Sequence, residues 1–153
     1  MEIEYLRDHM EHAETVAKWC YDEFINGIKT DVSYEDVLGS VNKCGRTELP
    51  VRFIALIDGR CAGTIAIYSN DLRCRDYTPW LAALYVGKEY RNRGIGGRLI
   101  EKVKEAAAEL GYRELYLRTE HAGNYYRKLG WTFIEECDDD YELRPEVFKF
   151  KLK

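Results

Sequence analysis

The chain has 153 residues, of which 33% are charged and 46% are hydrophobic, and its formal net charge at pH 7 is −4. This length and composition predict a single domain over residues 1–153 with an apolar core of its own. The acidic balance argues against general nucleic-acid binding, which needs a basic face. No apolar run reaches the length of a membrane span, so we expect no membrane partner.

The N-terminal segment and the cysteines indicate a compartment. Residues 1–8 lack the apolar core of a secretory signal peptide. The five cysteines are odd in number and no two of them have Cys-x-x-Cys spacing, so we expect reduced thiols in a cytoplasmic protein. The three histidines make no metal-binding pattern with these cysteines, and we predict no metal site.

The first half of the chain changes its hydrophobic period several times. Apolar residues at helical spacing predict a helix over about 9–26. Ser33 and Asp36 have the spacing of a capping box, which predicts a second helix over about 34–43. The Asp-Gly dipeptide at 58–59 lies between two apolar runs and is a strong hairpin signal. The strands predicted in this half cover residues 3–6, 52–57 and 61–68.

The second half begins with a central strand. Residues 80–86 are apolar on both faces, as a central strand should be. An amphipathic helix is predicted over 95–110. A strand over 115–117 should lie parallel to the central strand, because a helix connects them. The remaining predicted elements are a short helix over 122–129 and closing strands over 131–134 and 147–152. The resulting order, β-α-α-β-β-β-α-β-α-β-β, predicts an α+β fold with a mixed sheet.

A glycine-rich turn joins the central strand to the long helix. It reads Arg91-Asn92-Arg93-Gly94-Ile95-Gly96-Gly97-Arg98. Backbone N–H groups in the first turn of a helix have no partner within the helix, and the helix dipole adds partial positive charge there. Such a turn suits a phosphate or pyrophosphate, because glycines let the backbone approach the anion. The alternative is a glycine-rich helix start that binds nothing.

Two common phosphate-binding motifs do not fit this turn. A dinucleotide fingerprint would need a third glycine where Leu99 stands, and a P-loop would need Lys and then Ser or Thr after Gly97. The pattern Arg-x-x-Gly-x-Gly does fit, as Arg91, Gly94 and Gly96. It resembles the acetyl-CoA pyrophosphate loop of the GNAT-family N-acetyltransferases.

A second stretch resembles the same family. Residues 122–131 read Ala-Gly-Asn-Tyr-Tyr-Arg-Lys-Leu-Gly-Trp and are similar to the family's Ala-x-x-Phe-Tyr-x-Lys-Leu-Gly-Phe. Two motifs in the right order on the right elements are more specific than either alone. One departure is Thr119, where many relatives have Asn. The resemblance implies the GNAT fold, a mixed central sheet with helices on both faces.

The resemblance implies acetyl-CoA as the cofactor. The central strand is expected to separate from its parallel neighbour and to offer free backbone groups to the pantetheine arm. An N–H near Val86 would then stabilise the acetyl oxyanion. The residues expected at the cofactor are Leu84, Tyr85, Val86, Arg91, Arg93, Gly94, Ile95, Gly96, Gly97, Arg98 and Tyr126. Arg91 and Arg98 are also expected to contact phosphate by charge, the alternative being a solvated helix start.

Acetyl transfer needs a proton donor for the departing thiolate and a proton acceptor for the amine. The resemblance implies Tyr126 as the donor, whereas Tyr125 matches the family's Phe and is expected to pack in the core. The central strand holds no carboxylate, so the base is open. Glu120, His121 and Glu23 are its candidates, directly or through water, and Glu120 is assigned as catalytic. For each of them the alternative is a surface charge or a helix start.

Acceptor choice in this family sits on the first two helices and the late loop. The resemblance therefore implies Trp19, Glu23, Tyr34 and Tyr141 as substrate-binding residues. The aspartates at 138–140 are further candidates, since acidic groups attract a cationic amine. An acid-rich loop is, however, also an ordinary solvated surface.

The expected function is acetyl transfer from acetyl-CoA to an amine of a small molecule or peptide, by direct attack on the thioester. The protein would act as a monomer or homodimer. One alternative is a catalytically silent CoA-binding sensor or interaction module on the same fold. Another is an enzyme that uses a different acyl-CoA donor.

Overall fold

A seven-stranded mixed sheet organises the computed structural model, which describes residues 1–153. The strands are β1 (Glu2–Tyr5), β2 (Val51–Ile57), β3 (Arg60–Tyr68), β4 (Trp80–Val86), β5 (Glu114–Thr119), β6 (Thr132–Glu136) and β7 (Glu146–Lys151). Their order in the sheet is β1-β2-β3-β4-β5-β7-β6. Only β4 and β5 are parallel neighbours, and every other pair is antiparallel. The predicted α+β class is confirmed.

Four α-helices connect these strands. They are α1 (Ala13–Cys20), α2 (Tyr34–Asn42), α3 (Ile95–Glu109) and α4 (Gly123–Lys128). The single helix predicted over 9–26 is instead a 3-10 turn (Met10–His12), then α1, then a π-helical turn (Tyr21–Ile25). The predicted element order is confirmed. None of the helices combines the length and the apolar character that crossing a membrane requires.

The helices cover both faces of the sheet, as predicted. Along β2, Val51, Phe53 and Ala55 pack in the core beneath α3 and α4. Ile54 and Leu56 belong to the cluster beneath α1 and α2. This alternation follows from the two-residue period of a strand, and it places β2 in contact with both layers.

Both ends of α2 have hydrogen-bond partners. The Ser33 hydroxyl accepts from the Asp36 N–H at 3.1 Å, and the Asp36 carboxylate accepts from the Ser33 N–H at 3.0 Å. The predicted capping box is therefore confirmed, with Asp in the place of the usual Glu. At the other end, Arg7 donates to the carbonyls of Asn42 and Cys44 at 2.9 and 2.7 Å. A cation at this end also complements the helix dipole.

Gly63 on β3 allows α3 to lie close to the sheet. A Cβ atom at this position would lie 3.0 Å from the Tyr85 carbonyl oxygen and 3.2 Å from Leu99 Cδ1. Side chains of Ile95 and Leu99 on α3 already occupy the space above Gly63, so these neighbours would have to shift to admit even a methyl group. The N-terminal part of α3 is thereby held next to the end of β4.

A long connection between β3 and β4 crosses the sheet and is tied to β6. Arg75 donates to both carboxylate oxygens of Glu135, at 2.9 and 2.6 Å, and the Tyr77 hydroxyl donates to the same carboxylate at 2.5 Å. Hydrogen bonds from Arg75 and then Tyr77 lower the pKa of Glu135 to about 2. Leu72, on the same connection, is buried with Trp80 and the aromatic residues around it.

The hydrogen bonds from Arg75 and Tyr77 to Glu135 predict an acid-dependent loss of stability. The pKa of Glu135 is lower in the folded protein than its ordinary value of 4.5, so its contribution to stability is present above pH 4.5 and is lost as the pH falls towards 2. We expect Glu135→Gln to unfold at lower urea concentration than the wild type at pH 7, and the difference to shrink across that acidic range. Glu136→Gln is the matched control, because Glu136 is exposed and pairs with Arg144 on the surface. A difference that stays constant from pH 7 to pH 2 would contradict the assignment.

Candidate active site

β4 and β5 separate after a single residue pair. Trp80 and Tyr116 are the only residues in register between these parallel strands. Further along β4, Ala83 has a φ of 55°, and the register with β3 shifts between Thr64 and Ala66, as in a β-bulge. Beyond this pair the edge of β4 that faces β5 has no ladder partner, and its backbone groups are available to a ligand. This is the separation that the family resemblance implied.

The glycine-rich turn leads from the end of β4 into α3. Gly94 is the N-cap residue, with a φ of 78°, and α3 has no hydrogen bond from a capping side chain. The first N–H that closes a bond with the turn is that of Arg98, which donates to Gly94 at 3.2 Å. The N–H groups at 95–97 precede it and remain available for an anion. Nothing lies within 4 Å of a Cβ built at Gly97, so the residues present leave room for a pyrophosphate.

Two arginines of the turn donate hydrogen bonds to nearby backbone carbonyls. Arg91 Nε donates to the Val86 carbonyl at 2.9 Å, and its guanidinium lies 5.2 Å from the ring centroid of Tyr85. Arg93 Nη2 donates to the Glu89 carbonyl at 3.4 Å. Arg91 therefore holds the turn against the end of β4, and both guanidinium groups are exposed to solvent.

Arg98 is exposed in the first turn of α3. It lines an open groove of about 720 Å³ together with Gly94 and Gly97 of the glycine-rich turn and with Glu2, Glu101 and Glu105. A side-chain contact between Arg98 and phosphate is still a prediction, and so is the alternative of a solvated helix start.

The two tyrosines of α4 lie in opposite environments. Tyr126 is 8% exposed, and its ring packs edge-on against Trp131 with centroids 6.0 Å apart. Burial raises the pKa of Tyr126 to about 12. Tyr125 is 45% exposed, so the expectation that it packs in the core is wrong. Consecutive residues of a helix point about 100° apart, and in a helix as short as α4 only one of the pair faces the sheet.

The base candidates lie beyond the end of β5 and on the π-helical turn. Glu120 is 3.7 Å from Arg118 Nη2, which places it beside a positive charge at the carboxyl end of β5. His121 and Glu23 are exposed and have no hydrogen-bonded partner among the side chains. Of the three candidates, the structure brings only Glu120 into a cluster of charges.

The centre of that cluster is Arg118, which the sequence analysis did not identify. Its side chain pairs with Asp139 at 2.5 Å, and these two side chains are 13% and 2% exposed. Arg118 Nη1 also donates to the carbonyl of Asp71 at 3.3 Å. Burial raises the pKa of Asp71 to about 7, with Arg118 opposing the rise and Glu120 adding to it. Strand alternation with Leu117 could have indicated which face Arg118 lies on, but no local pattern predicted the two distant aspartates.

The predicted acceptor residues are only partly brought together. The ring of Trp19 lies 5.2 Å from that of Tyr85, so it is adjacent to the end of β4. Tyr34 packs edge-on against Tyr21 of the π-helical turn at 6.1 Å. Tyr141, on the connection between β6 and β7, lines a second open cavity of about 420 Å³ together with residues 29–32 and Asp36 of α2. Glu23 is exposed on the π-helical turn.

The aspartates at 138–140 are each paired with an arginine. The pairs are Asp138 with Arg144 at 2.8 Å, Asp139 with Arg118 at 2.5 Å, and Asp140 with Arg73 at 3.4 Å. Much of the negative charge of this loop is thus neutralised within the protein. Its attraction for a cationic amine is weaker than the sequence alone suggests.

Thr119 has a defined use at the start of α4. Its hydroxyl oxygen accepts a hydrogen bond from the Ala122 N–H at 3.0 Å. The threonine therefore takes part in the turn that positions α4 at the end of β5.

Comparison with known proteins places this geometry in a family. The sequence profile of the acetyltransferase (GNAT) family matches residues 11–131. The chain belongs to the GNAT family. An N-alpha-acetyltransferase MAK3 from Arabidopsis thaliana is 31% identical over 104 residues, which are 65% of this chain and 54% of that protein. An amino-acid acetyltransferase from Pseudomonas aeruginosa is 37% identical over 51 residues, which are 33% of this chain and 12% of that protein. The chain thus spans about half, or less, of the length of these relatives.

Solved structures show the same GNAT fold. An aminoglycoside 6'-N-acetyltransferase in complex with coenzyme A superposes with a TM-score of 0.75 at 17% identity, covering 99% of this chain and 97% of that one. An N-acetyltransferase from Staphylococcus aureus Mu50 superposes with a TM-score of 0.74 at 18% identity, covering 100% of both chains. At these identities the likeness is one of fold.

The open surroundings of the glycine turn predict how it responds to a carboxylate side chain. A Cβ at Gly96 would approach only Val86 Cγ2, at 3.9 Å, so Gly96→Glu should fold while placing negative charge beside the free N–H groups. We expect acetyl-CoA to bind at least about tenfold more weakly, a change of about 1.4 kcal/mol. Isothermal titration calorimetry measures this change. Gly39→Glu on α2 is the control, since a Cβ there also meets nothing within 4 Å. Unchanged affinity in a folded Gly96→Glu protein would rule out the phosphate assignment.

Proposed function

We propose that this chain is an acetyl-CoA-dependent N-acetyltransferase that acts on an amine of a small molecule or peptide. The observation that carries the proposal is the free edge of β4 next to the uncapped, glycine-rich start of α3. The first of these offers backbone hydrogen bonds to an extended chain, and the second offers them to a pyrophosphate. Membership of the GNAT family supports the same assignment.

Different backbone groups along the gap are proposed to bind different parts of acetyl-CoA. The N–H groups at 95–97 would hold the pyrophosphate, and Arg91 keeps the turn that carries them against Val86. Backbone groups of residues 84–86 would hold the pantetheine arm, with an N–H near Val86 directed at the acetyl oxygen. Acetyl-CoA, when bound, supplies the thioester whose acetyl group is transferred to the amine.

Tyr126 is suited to donate a proton to the departing thiolate. Because burial raises its pKa to about 12, its hydroxyl keeps its proton at neutral pH and well above it. Its ring packs edge-on against the rings of Trp131 and Tyr125. Glu120 is the proposed proton acceptor for the attacking amine, held near Arg118 at the end of β5.

An amine acceptor is supported by what the relatives are named for. One is an N-alpha-acetyltransferase, and the structural neighbour is an aminoglycoside 6'-N-acetyltransferase. Trp19, Glu23, Tyr34 and Tyr141 are proposed to contact the acceptor, with Trp19 nearest to β4. The proposal includes a cytoplasmic location, which the five free thiols support, and action as a monomer or homodimer.

A panel of amines tests the activity itself. We expect at least one acetylated amine, identified by mass spectrometry, with CoA released in equal amount. The silent CoA-binding module is the competing hypothesis. It would gain support if acetyl-CoA bound tightly in calorimetry while no amine on a broad panel was acetylated.

The proton donor is tested by a pair of neighbouring variants. Tyr126→Phe keeps the ring and its packing but removes the O–H, so we expect turnover to fall by about 10- to 1,000-fold. Acetyl-CoA affinity and thermal stability should change little. Tyr125→Phe is the matched control and should stay near the wild type, because Tyr125 is on the exposed side of α4. In the wild type, ionisation of Tyr126 should not reduce the rate below about pH 10, the ordinary pKa of a tyrosine. A Tyr126→Phe protein with wild-type turnover, when chemistry limits the rate, would show that another group is the acid.

A further inference from the structure

Two of the five cysteines lie next to each other in the fold. Cys74 is on the connection between β3 and β4, and Cys137 directly follows β6. The thiol of Cys74 lies within hydrogen-bonding reach of the thiol of Cys137. It also donates to the carbonyl of Asp138, the residue after Cys137, at 3.7 Å. Cys74 and Asp138 are 64 positions apart in the sequence, so tertiary structure brings the two thiols together.

Hydrogen bonds hold the backbone on both sides of this thiol pair. The side-chain amide of Asn70 closes the turn that carries Cys74, because it donates to the carbonyls on that turn at 3.1 and 2.9 Å. The N–H of Cys137 donates at 3.2 Å to a carbonyl of the connection between β6 and β7. Arg75, next to Cys74, makes two hydrogen bonds to Glu135 on β6. The bonds that hold the connection to β6 therefore also hold the two thiols as neighbours.

The two thiols differ in their access to solvent. Cys74 is exposed, whereas Cys137 is only 8% exposed. Burial raises the pKa of Cys137, and the guanidinium of Arg75 opposes this rise. The thiolate is the reactive form of a cysteine, and a neighbouring arginine favours it. Cys74 is therefore the thiol that an oxidant in solution reaches, and Cys137 lies beside it as the second thiol.

The other three cysteines lack such a partner. Cys20 and Cys44 are 5% and 1% exposed, and burial raises the pKa of both. Burial raises the pKa of Cys61 to about 12, so its thiol keeps its proton at neutral pH. The groups that act on these three thiols include no other cysteine. Thiol chemistry between two side chains of this protein is thus expected at one place.

We propose that Cys74 and Cys137 form a site of reversible oxidation, at which a peroxide converts the two thiols into an intramolecular disulfide. The Cys74 thiolate attacks one oxygen of hydrogen peroxide, the oxygen–oxygen bond breaks, and a sulfenic acid and one water result. The Cys137 thiolate then attacks the Cys74 sulfur, the sulfur–sulfur bond forms, and the sulfenic hydroxyl leaves as a second water. The two thiol protons leave in these waters, so two thiols are oxidised and one peroxide is reduced. This inference does not depend on the proposed acetyl transfer.

The disulfide would join the two connections that hold Arg118. On the Cys74 side, Arg118 donates to the carbonyl of Asp71 at 3.3 Å. On the Cys137 side, Arg118 pairs with the carboxylate of Asp139. Oxidation therefore fixes by a covalent bond the same two loops that ion pairs hold in the reduced protein. In a reducing compartment the site rests as two thiols, since disulfides there are usually transient.

Peptide mapping of the oxidised wild type tests the pairing. The folded protein is treated with hydrogen peroxide, alkylated with N-ethylmaleimide in denaturant and digested without a reductant. We expect one cross-link, between the peptides of Cys74 and Cys137, which dithiothreitol separates, and alkylation of the other three cysteines. Cys61→Ser is the matched control, because it removes a thiol outside the pair, and it should form the same cross-link. Cys74→Ser changes an exposed side chain and should form none.

Thermal unfolding measures whether the folded protein admits the bond. The oxidised wild type should melt roughly 5–10 °C above the reduced protein, because the disulfide closes a long loop of the unfolded chain. Oxidation should raise the Tm of Cys61→Ser equally and leave that of Cys74→Ser unchanged.

Three results would each overturn the inference. One is a sulfinic or sulfonic acid at Cys74 with Cys137 still free. Another is a Cys74 disulfide between two molecules, and the third is an oxidised wild type that melts no higher than the reduced protein. The amine panel is run on the reduced protein, so its outcome judges the proposed function separately.

Discussion

The single pairing between β4 and β5 is the constraint on which the site depends. Trp80 and Tyr116 hold the parallel strands together at one level, and Tyr77 stacks on Tyr116 with ring centroids 4.7 Å apart. A continuous parallel ladder would use the N–H and C=O groups that are free further along β4. A buried backbone group without a partner costs about 1–3 kcal/mol. The separation is therefore stable only because water or a ligand can reach this edge, so the fold keeps the gap open and ready for an extended chain.

Three arginines of reduced exposure have different partners. Arg118 and Arg75, 13% and 32% exposed, have carboxylate partners that hold distant loops onto the sheet. Arg52 is buried on β2, and its Nη2 donates to the Tyr68 hydroxyl at 3.0 Å in place of a carboxylate. Removing a charge from water without compensation costs several kcal/mol, and apolar residues of similar volume are often at least as stable. A buried arginine of this kind is therefore expected to lower the free energy of unfolding.

Sequence patterns predicted the features that depend on interactions between neighbouring residues. The strand over 80–86, the capping box at Ser33 and the glycine turn into α3 all matched the structure, because each depends on neighbouring residues. The exposure of Tyr125 depended on which side of α4 faces the sheet, and motif matching carried no such information.

The charge cluster around Arg118 could not be predicted from the sequence, for a different reason. Its members come from β5, from the connection after β3 and from the connection after β6. These residues come together only because two long loops cross the sheet there. The path of the loops depends on ion pairs such as that between Arg75 and Glu135. The aspartates at 138–140 count as free negative charge in the sequence. In the fold each of them pairs with an arginine, so much of that charge is neutralised.

Gly63 shows how one missing side chain can space two parts of the proposed cofactor site. It is in register with Val86 on β4, and a Cβ atom there would press on the Tyr85 carbonyl oxygen and on Leu99 of α3. The two backbones proposed to bind the cofactor, at 84–86 and 95–97, are therefore spaced by packing at this position. A misplacement of about 1 Å can cost a large factor in rate, so a larger residue here would shift the proposed anchor of the cofactor relative to its reacting end. A scan of variants scored only by turnover would then rank Gly63 with residues that contact the substrate, although its contribution is the spacing of two binding surfaces.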